Sequence, residues 1–170
     1  MSDQRRVVLV PVDGPRARLL AVEHRPLPGP LPVVIANRAL CRTFGVEPGS
    51  EEAELAALQV ASVAALSSGG RRIVLSAQLP DALLGGPLGA AAAANGAASL
   101  ERLAPRQVEA FFTDDDRVDV TAAARAAAGL DVDGAWGRAA VQELLGEPLL
   151  WHDIGELAGW LDRHPGPQGR

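Results

Sequence analysis

Trp151-His152-Asp153 is the densest grouping of chemistry-bearing side chains in the sequence. A histidine beside a carboxylate suits a general base or a metal ligand, because its ordinary pKa near 6.5 lets it change charge close to neutrality. On a strand, however, neighbouring residues point to opposite faces, so His152 and Asp153 would not meet. The plainer assignment puts Trp151 in the core, His152 at the solvent face and Asp153 as the cap of a following helix. The second grouping is Asp114-Asp115-Asp116 with Asp119. Several carboxylate oxygens suit a hard cation such as Mg²⁺. The same run between a strand and a helix is also the expected solvated turn and N-cap, and no phosphate-cradling glycine loop accompanies it. A small metal-assisted or acid–base enzyme using His152 with Asp153 or the Asp114–Asp116 cluster would need His152 and at least two carboxylates in one concave pocket.

Other residue types offer less. Cys41 is the sole cysteine, flanked by apolar residues and arginine, and reads as a small buried hydrophobe rather than a nucleophile served by His24 or His152. Ser67-Ser68-Gly69-Gly70 is a helix stop, and Gly-x-Ser-x-Gly does not occur. Asp131-Val132-Asp133-Gly134 lacks the remaining ligands of a calcium loop and reads as a turn. His24, His152 and His164 form no paired-histidine motif. No catalytic residue, metal site or cofactor is therefore assigned. Arg5-Arg6 and Arg71-Arg72 flank two apolar strands, where they would act as solvated gatekeepers or, if the strands are neighbours, as an anion-binding edge.

All sixteen basic residues are arginine, so lysine Schiff bases and lysine-dependent phosphate loops are excluded. The net charge of −5 disfavours nucleic acid and anionic lipid surfaces as partners. With one cysteine, a polar start at Met1–Arg6 and no apolar stretch long enough for a membrane span, the expected compartment is the reducing cytoplasm.

The elements that must position these residues begin with an apolar β-branched run, Val7–Val12, closed by Asp13-Gly14-Pro15. Four prolines and a glycine between Arg25 and Pro32 argue against regular structure there, and Val33–Ala36 follows as a short strand. Ala39–Phe44 is a helical turn stopped by Gly45. Ser50 caps a helix with Glu51, Glu52 and Glu54 in its first turn, with Leu55, Leu58, Ser62 and Leu66 on one face and Gly69-Gly70 at its end. Ile73–Leu79 and Val108–Thr113 are strands, Val120–Leu130 and Trp136–Leu145 helical, Leu149–Ile154 the last strand, and Glu156–Leu161 a final helical turn or two.

With 48% apolar residues, 170 residues suit one domain, taken as residues 1–163 with a low-complexity insertion at about 83–100 and a flexible tail at 164–170. Inside the insertion, Ala90–Ala94 is left open between loop and helix. Setting aside an N-terminal insertion, the order β-α-β-β-α-β is ferredoxin-like, an α+β sheet with helices on one face. A doubly wound α/β sheet is the alternative, favoured if the strand at Val33 joins the main sheet and a helix fills the alanine run.

Arg6-Val7-Val8-Leu9-Val10-Pro11, Glu51-Glu52-Ala53-Glu54-Leu55, Arg71-Arg72-Ile73-Val74-Leu75-Ser76-Ala77 and Pro148-Leu149-Leu150-Trp151 with Glu156-Leu157 resemble, in order, an uncharacterised actinobacterial family, a domain of unknown function. The resemblance implies a high-GC Gram-positive source and brings no activity or cofactor with it. Val8 and His152 stand where that family favours aromatics. The reading that results is a non-enzymatic binding or regulatory domain. It would act through protein–protein association, with a partner or with itself, at a surface built from Trp151, His152, Asp153 and Trp160.

Overall fold

The computed structural model describes residues 4–68, 70–86 and 89–166. The elements run β1 (Arg5–Val12), α1 (Gly14–Ala21), β2 (Leu27–Val34), α2 (Arg38–Phe44), α3 (Glu51–Leu66), β3 (Ile73–Pro80), β4 (Leu84–Gly85), α4 (Ala90–Ala94) and β5 (Ala97–Leu103). Then come β6 (Val108–Thr113), α5 (Thr121–Ala127), α6 (Val132–Trp136), α7 (Ala139–Leu145), β7 (Leu150–Asp153) and α8 (Leu157–Arg163).

The strands form one open sheet in the order β4-β5-β2-β1-β3-β6-β7, antiparallel at every registered pair. This corrects the ferredoxin-like expectation, in which the first strand and the one at Ile73 would be separated by a third. Here β1 and β3 pair directly from Arg5↔Pro80 to Val12↔Ile73. The two features that would favour the doubly wound alternative are both present, since β2 joins the sheet and Ala90–Ala94 is helical. The sheet is nevertheless antiparallel, not parallel.

The proline-rich segment expected to be irregular is most of β2. Its ladder to β1 is registered at Leu9↔Val34, so much of that edge is free of the pairing a proline would break. Pro28, Pro30 and Pro32 are exposed while Leu27, Leu31 and Val33 are buried, so the alternation survives the prolines. A register shift between Pro28 and Leu31 accommodates Gly29, where a Cβ would run into the backbone carbonyls of Leu100 and Glu101. β5 occupies residues that include the end of the supposed low-complexity insertion, and it is a full member of the sheet.

The sheet is strongly coiled. Three strands separate β3 from β4, about 19 Å if flat. The four residue steps from Pro80 to Leu84 reach at most about 14 Å, so the sheet must curl to bring the strands together. The principal core lies on one face, where Val8, Val10, Leu31, Leu75, Leu103 and Phe111 pack with Leu20 of α1 and Leu157, Trp160 and Leu161 of α8.

On the other face α3 covers Leu9, Val34 and Val74 with Ala57, Val60 and Ala61. Ser50 accepts from the Ala53 N–H as its N-cap, as the sequence implies. Its buried side is largely the alanine and valine side, and of the four residues expected on one face Ser62 and Leu66 are buried while Leu55 is 57% exposed. Beyond α3, Val63 and Leu66 pack against α5, α6 and α7. Gly69, half of the expected helix stop, lies outside the described residues, as do 167–170 of the expected tail. No helix among the described residues is long and apolar enough to cross a membrane.

Candidate functional site

β7 is the outermost strand on its side of the sheet, held to β6 by Thr113↔Leu150, Phe112↔Trp151, Phe111↔His152 and Ala110↔Asp153. Alternation then sorts its side chains. Trp151 falls beside Phe112 on the face that carries α3. It is 62% exposed, which corrects the assignment of Trp151 to the core. The cause is position: α3 packs over β1, β2 and β3, and among the described residues no helix packs extensively on β7. Trp160, named with it as a contact residue, is the opposite case, only 5% exposed in the core beneath α8. Asp153 caps the turn before α8 as expected. Its carboxylate accepts from the Gly155 N–H at 2.8 Å, and its own N–H donates to Glu156 Oε2 at 3.1 Å.

His152 lies on the other face and its ring stacks on Phe111 at 4.8 Å between centroids. Phe111 meets Trp160 edge-on at 6.1 Å, and Trp160 stacks on His164 at 4.3 Å. His152 Nδ1 is 3.8 Å from Glu156 Oε2, and Asp153 is not among its partners. His164 makes a 2.7 Å contact with the Trp160 carbonyl and a 2.6 Å contact with Asp116 Oδ1, so the residue expected to open the tail is tied to the domain.

The acidic run is divided among three separate partners. Asp114 is buried and takes the Arg72 guanidinium through Nε at 2.8 Å and Nη2 at 2.5 Å on Oδ1, with the Arg72 N–H on Oδ2 at 3.0 Å. Arg72 is 1% exposed, which corrects its reading as a solvated gatekeeper. It binds an anion, but an internal one. Arg6, at the neighbouring strand, pairs with Asp81. Asp115 takes both Nε and Nη2 of Arg117, and Asp119 accepts from the Thr121 N–H at the start of α5.

The Arg117 side chain, donating to Asp115, holds that carboxyl down to about 2 from 3.8, assisted by the Arg117 backbone N–H. Arg117→Ala should therefore raise the Asp115 midpoint toward the ordinary carboxylate range, read by NMR of the side-chain carbonyl between pH 1.5 and 6. The sign follows from the direction: a depressed carboxylate keeps its partner as pH falls below 3.8 and loses it as pH passes through about 2.

Asp114 lies three residues past Phe111, the partner of His152, roughly 10 Å along the strand. His152 lines neither of the two grooves described next. Neither of these two grooves is therefore the pocket that a His152-based enzyme requires. Among the described residues no three His, Cys, Asp or Glu side chains are placed to hold a metal ion, and Cys41 is buried in α2.

Two grooves flank the region. The smaller, about 270 Å³, lies between the N-terminal half of α3 and the sheet, with Leu55, Leu58, Val7 and Phe112 as apolar walls and Glu51 and Glu54 at its rim. The larger, about 690 Å³, lies between the loop entering α5 and helix α7, and Leu150 of β7 reaches it. Neither was foreseen from the sequence. An exposed leucine one turn into a helix, opposite its alanine side, was the available signal for the first.

A family model described as a family of unknown function, DUF6912, matches residues 7–161. The chain belongs to this family. The match runs from within β1 to within α8, so the DUF6912 region holds all of the sheet but the first two residues of β1, with both grooves and the β7 strand. No curated protein and no solved structure matches the chain.

Proposed function

We propose that this DUF6912 domain is a non-enzymatic association module whose contact surface is the α3-side face at β7. The observation that carries the reading is Trp151, a large aromatic 62% exposed on an outermost strand and set beside Phe112, which lines the Leu55 groove. Tryptophan supplies much contact area with few rotatable bonds and is enriched among residues that dominate binding energy. Ion pairs and caps consume the acidic run and Asp153, which leaves an apolar surface rather than a reactive one. A single buried cysteine fits a reducing cytoplasmic setting.

A photo-reactive phenylalanine at position 151 tests the reading in living cells, with Glu101 on β5 as the control position. Discrete adducts from 151 and not from 101 are expected, either with another protein or at twice the chain mass. Equal labelling at both positions, or none at 151, overturns it.

A further inference from the structure

We infer that the groove between α5 and α7 receives a basic, apolar segment of another protein, an Arg- or Lys-bearing stretch whose apolar side chains enter the groove. This rests on the association reading and names the chemistry of the partner.

The floor of the groove is apolar and shallow-walled, with Val118, Leu144 and Leu150 beside Ala122, Ala123 and Ala140. Alanines leave room for an incoming backbone to come close, and Leu150 is 39% exposed there. The rim is acidic: Asp115, Asp119, Glu143 and Glu147 stand around one cation, Arg117. That cation is already bound by Asp115, so the charge presented outward is negative. Glu143 on α7 and Glu147, just past the Gly146 cap that ends it, are both exposed and both line the groove.

Position adds to this. Leu150 and Trp151 are adjacent on β7 and face opposite sides of the strand; Leu150 lines the larger groove, and Trp151 stands beside Phe112, which lines the smaller one. The smaller groove is also rimmed by glutamates, Glu51 and Glu54. A partner lying along β7 therefore meets apolar surface flanked by carboxylates on both sides. A second copy of this chain is a poor occupant, because it carries a net charge of −5 and would bring the same carboxylates against one another.

The probe is a fluorescein-labelled twelve-residue peptide of leucine and lysine, with a leucine–glutamate peptide of the same pattern for comparison, measured by anisotropy on the full chain at 50 and 300 mM salt. The basic peptide is expected to bind at least 10-fold more tightly than the acidic one. The double charge reversal Glu143→Lys with Glu147→Lys should weaken it at least 10-fold and let the acidic peptide bind. Glu101→Lys with Glu109→Lys changes the net charge equally on exposed positions away from the groove and should leave affinity within about 2-fold.

Equal loss in both double variants would mean long-range attraction to an acidic protein and overturn the groove as the site. Absence of binding by either peptide, or a light-scattering dimer that the groove reversal splits, also overturns it. Labelling at position 151 stands apart from these outcomes, so the groove can fail while the association reading survives.

Discussion

Asp114→Ala is expected to destabilise the fold by about 3–5 kcal/mol, because it strands a buried guanidinium whose carboxylate has been removed. Both partners are almost fully enclosed, with side-chain exposures of 2% for Arg72 and 0% for Asp114. Arg72 enters β3, Asp114 leaves β6, and Arg72 Nη2 also donates to the Glu147 carbonyl at 3.2 Å just before β7. The pair thus ties three consecutive strands of the sheet at one end.

Truncating Asp114 leaves the Arg72 Nε and backbone N–H without acceptors in a place water does not reach, which makes the loss larger than a surface pair would give. Urea denaturation followed by far-UV circular dichroism should show the midpoint fall with little change in slope. The double replacement Arg72→Met with Asp114→Leu should recover part of the loss, since it removes the stranded charge while the backbone N–H of residue 72 still lacks its acceptor. If the single variant costs less than about 1 kcal/mol, the pair is solvated in solution and the burial argument fails.

Most elements were legible because their signals are local. Ser50 with three glutamates behind it marked the start of α3 to the residue, and the β-branched runs marked β1, β3 and β6. β2 was half lost because proline is read as a breaker without knowing which neighbour is missing. Its sparse pairing with β1 is a tertiary fact. The strand order was out of reach for the same reason. Whether β3 lies beside β1 or one strand away depends on whether β6 inserts between them, and no residue in β1 states it.

At the site, the sequence drew attention to the right strand and misjudged its sides. The residue types leave Trp151 open between a core position and a contact surface, and it is its place on an outermost strand that exposes it. The Asp114–Asp116 run looked like one cluster because its members are adjacent. Only the structure shows them serving Arg72, Arg117 and His164 in turn.

Trp160→Ala and Trp151→Ala should therefore differ by several kcal/mol, although both remove the same side chain. Trp160 sits in the principal core against Phe111 and beneath α8, and truncating so large a buried aromatic costs about 3–5 kcal/mol. It also removes the ring on which His164 stacks, so the His164 contact with Asp116 should loosen and the end of α8 become more open to hydrogen exchange. Trp151 gives up a cross-strand contact with Phe112 and little else, a loss of about 1 kcal/mol or less.

The two variants separate stability from recognition in one experiment. Thermal melts should move strongly for Trp160→Ala and barely for Trp151→Ala. If Trp151→Ala instead unfolds the domain as readily as Trp160→Ala does, Trp151 is covered in solution and the contact surface proposed for β7 is lost with it. A stable Trp151→Ala protein would show that folding does not need this large aromatic, which is the condition the contact role proposed for β7 requires.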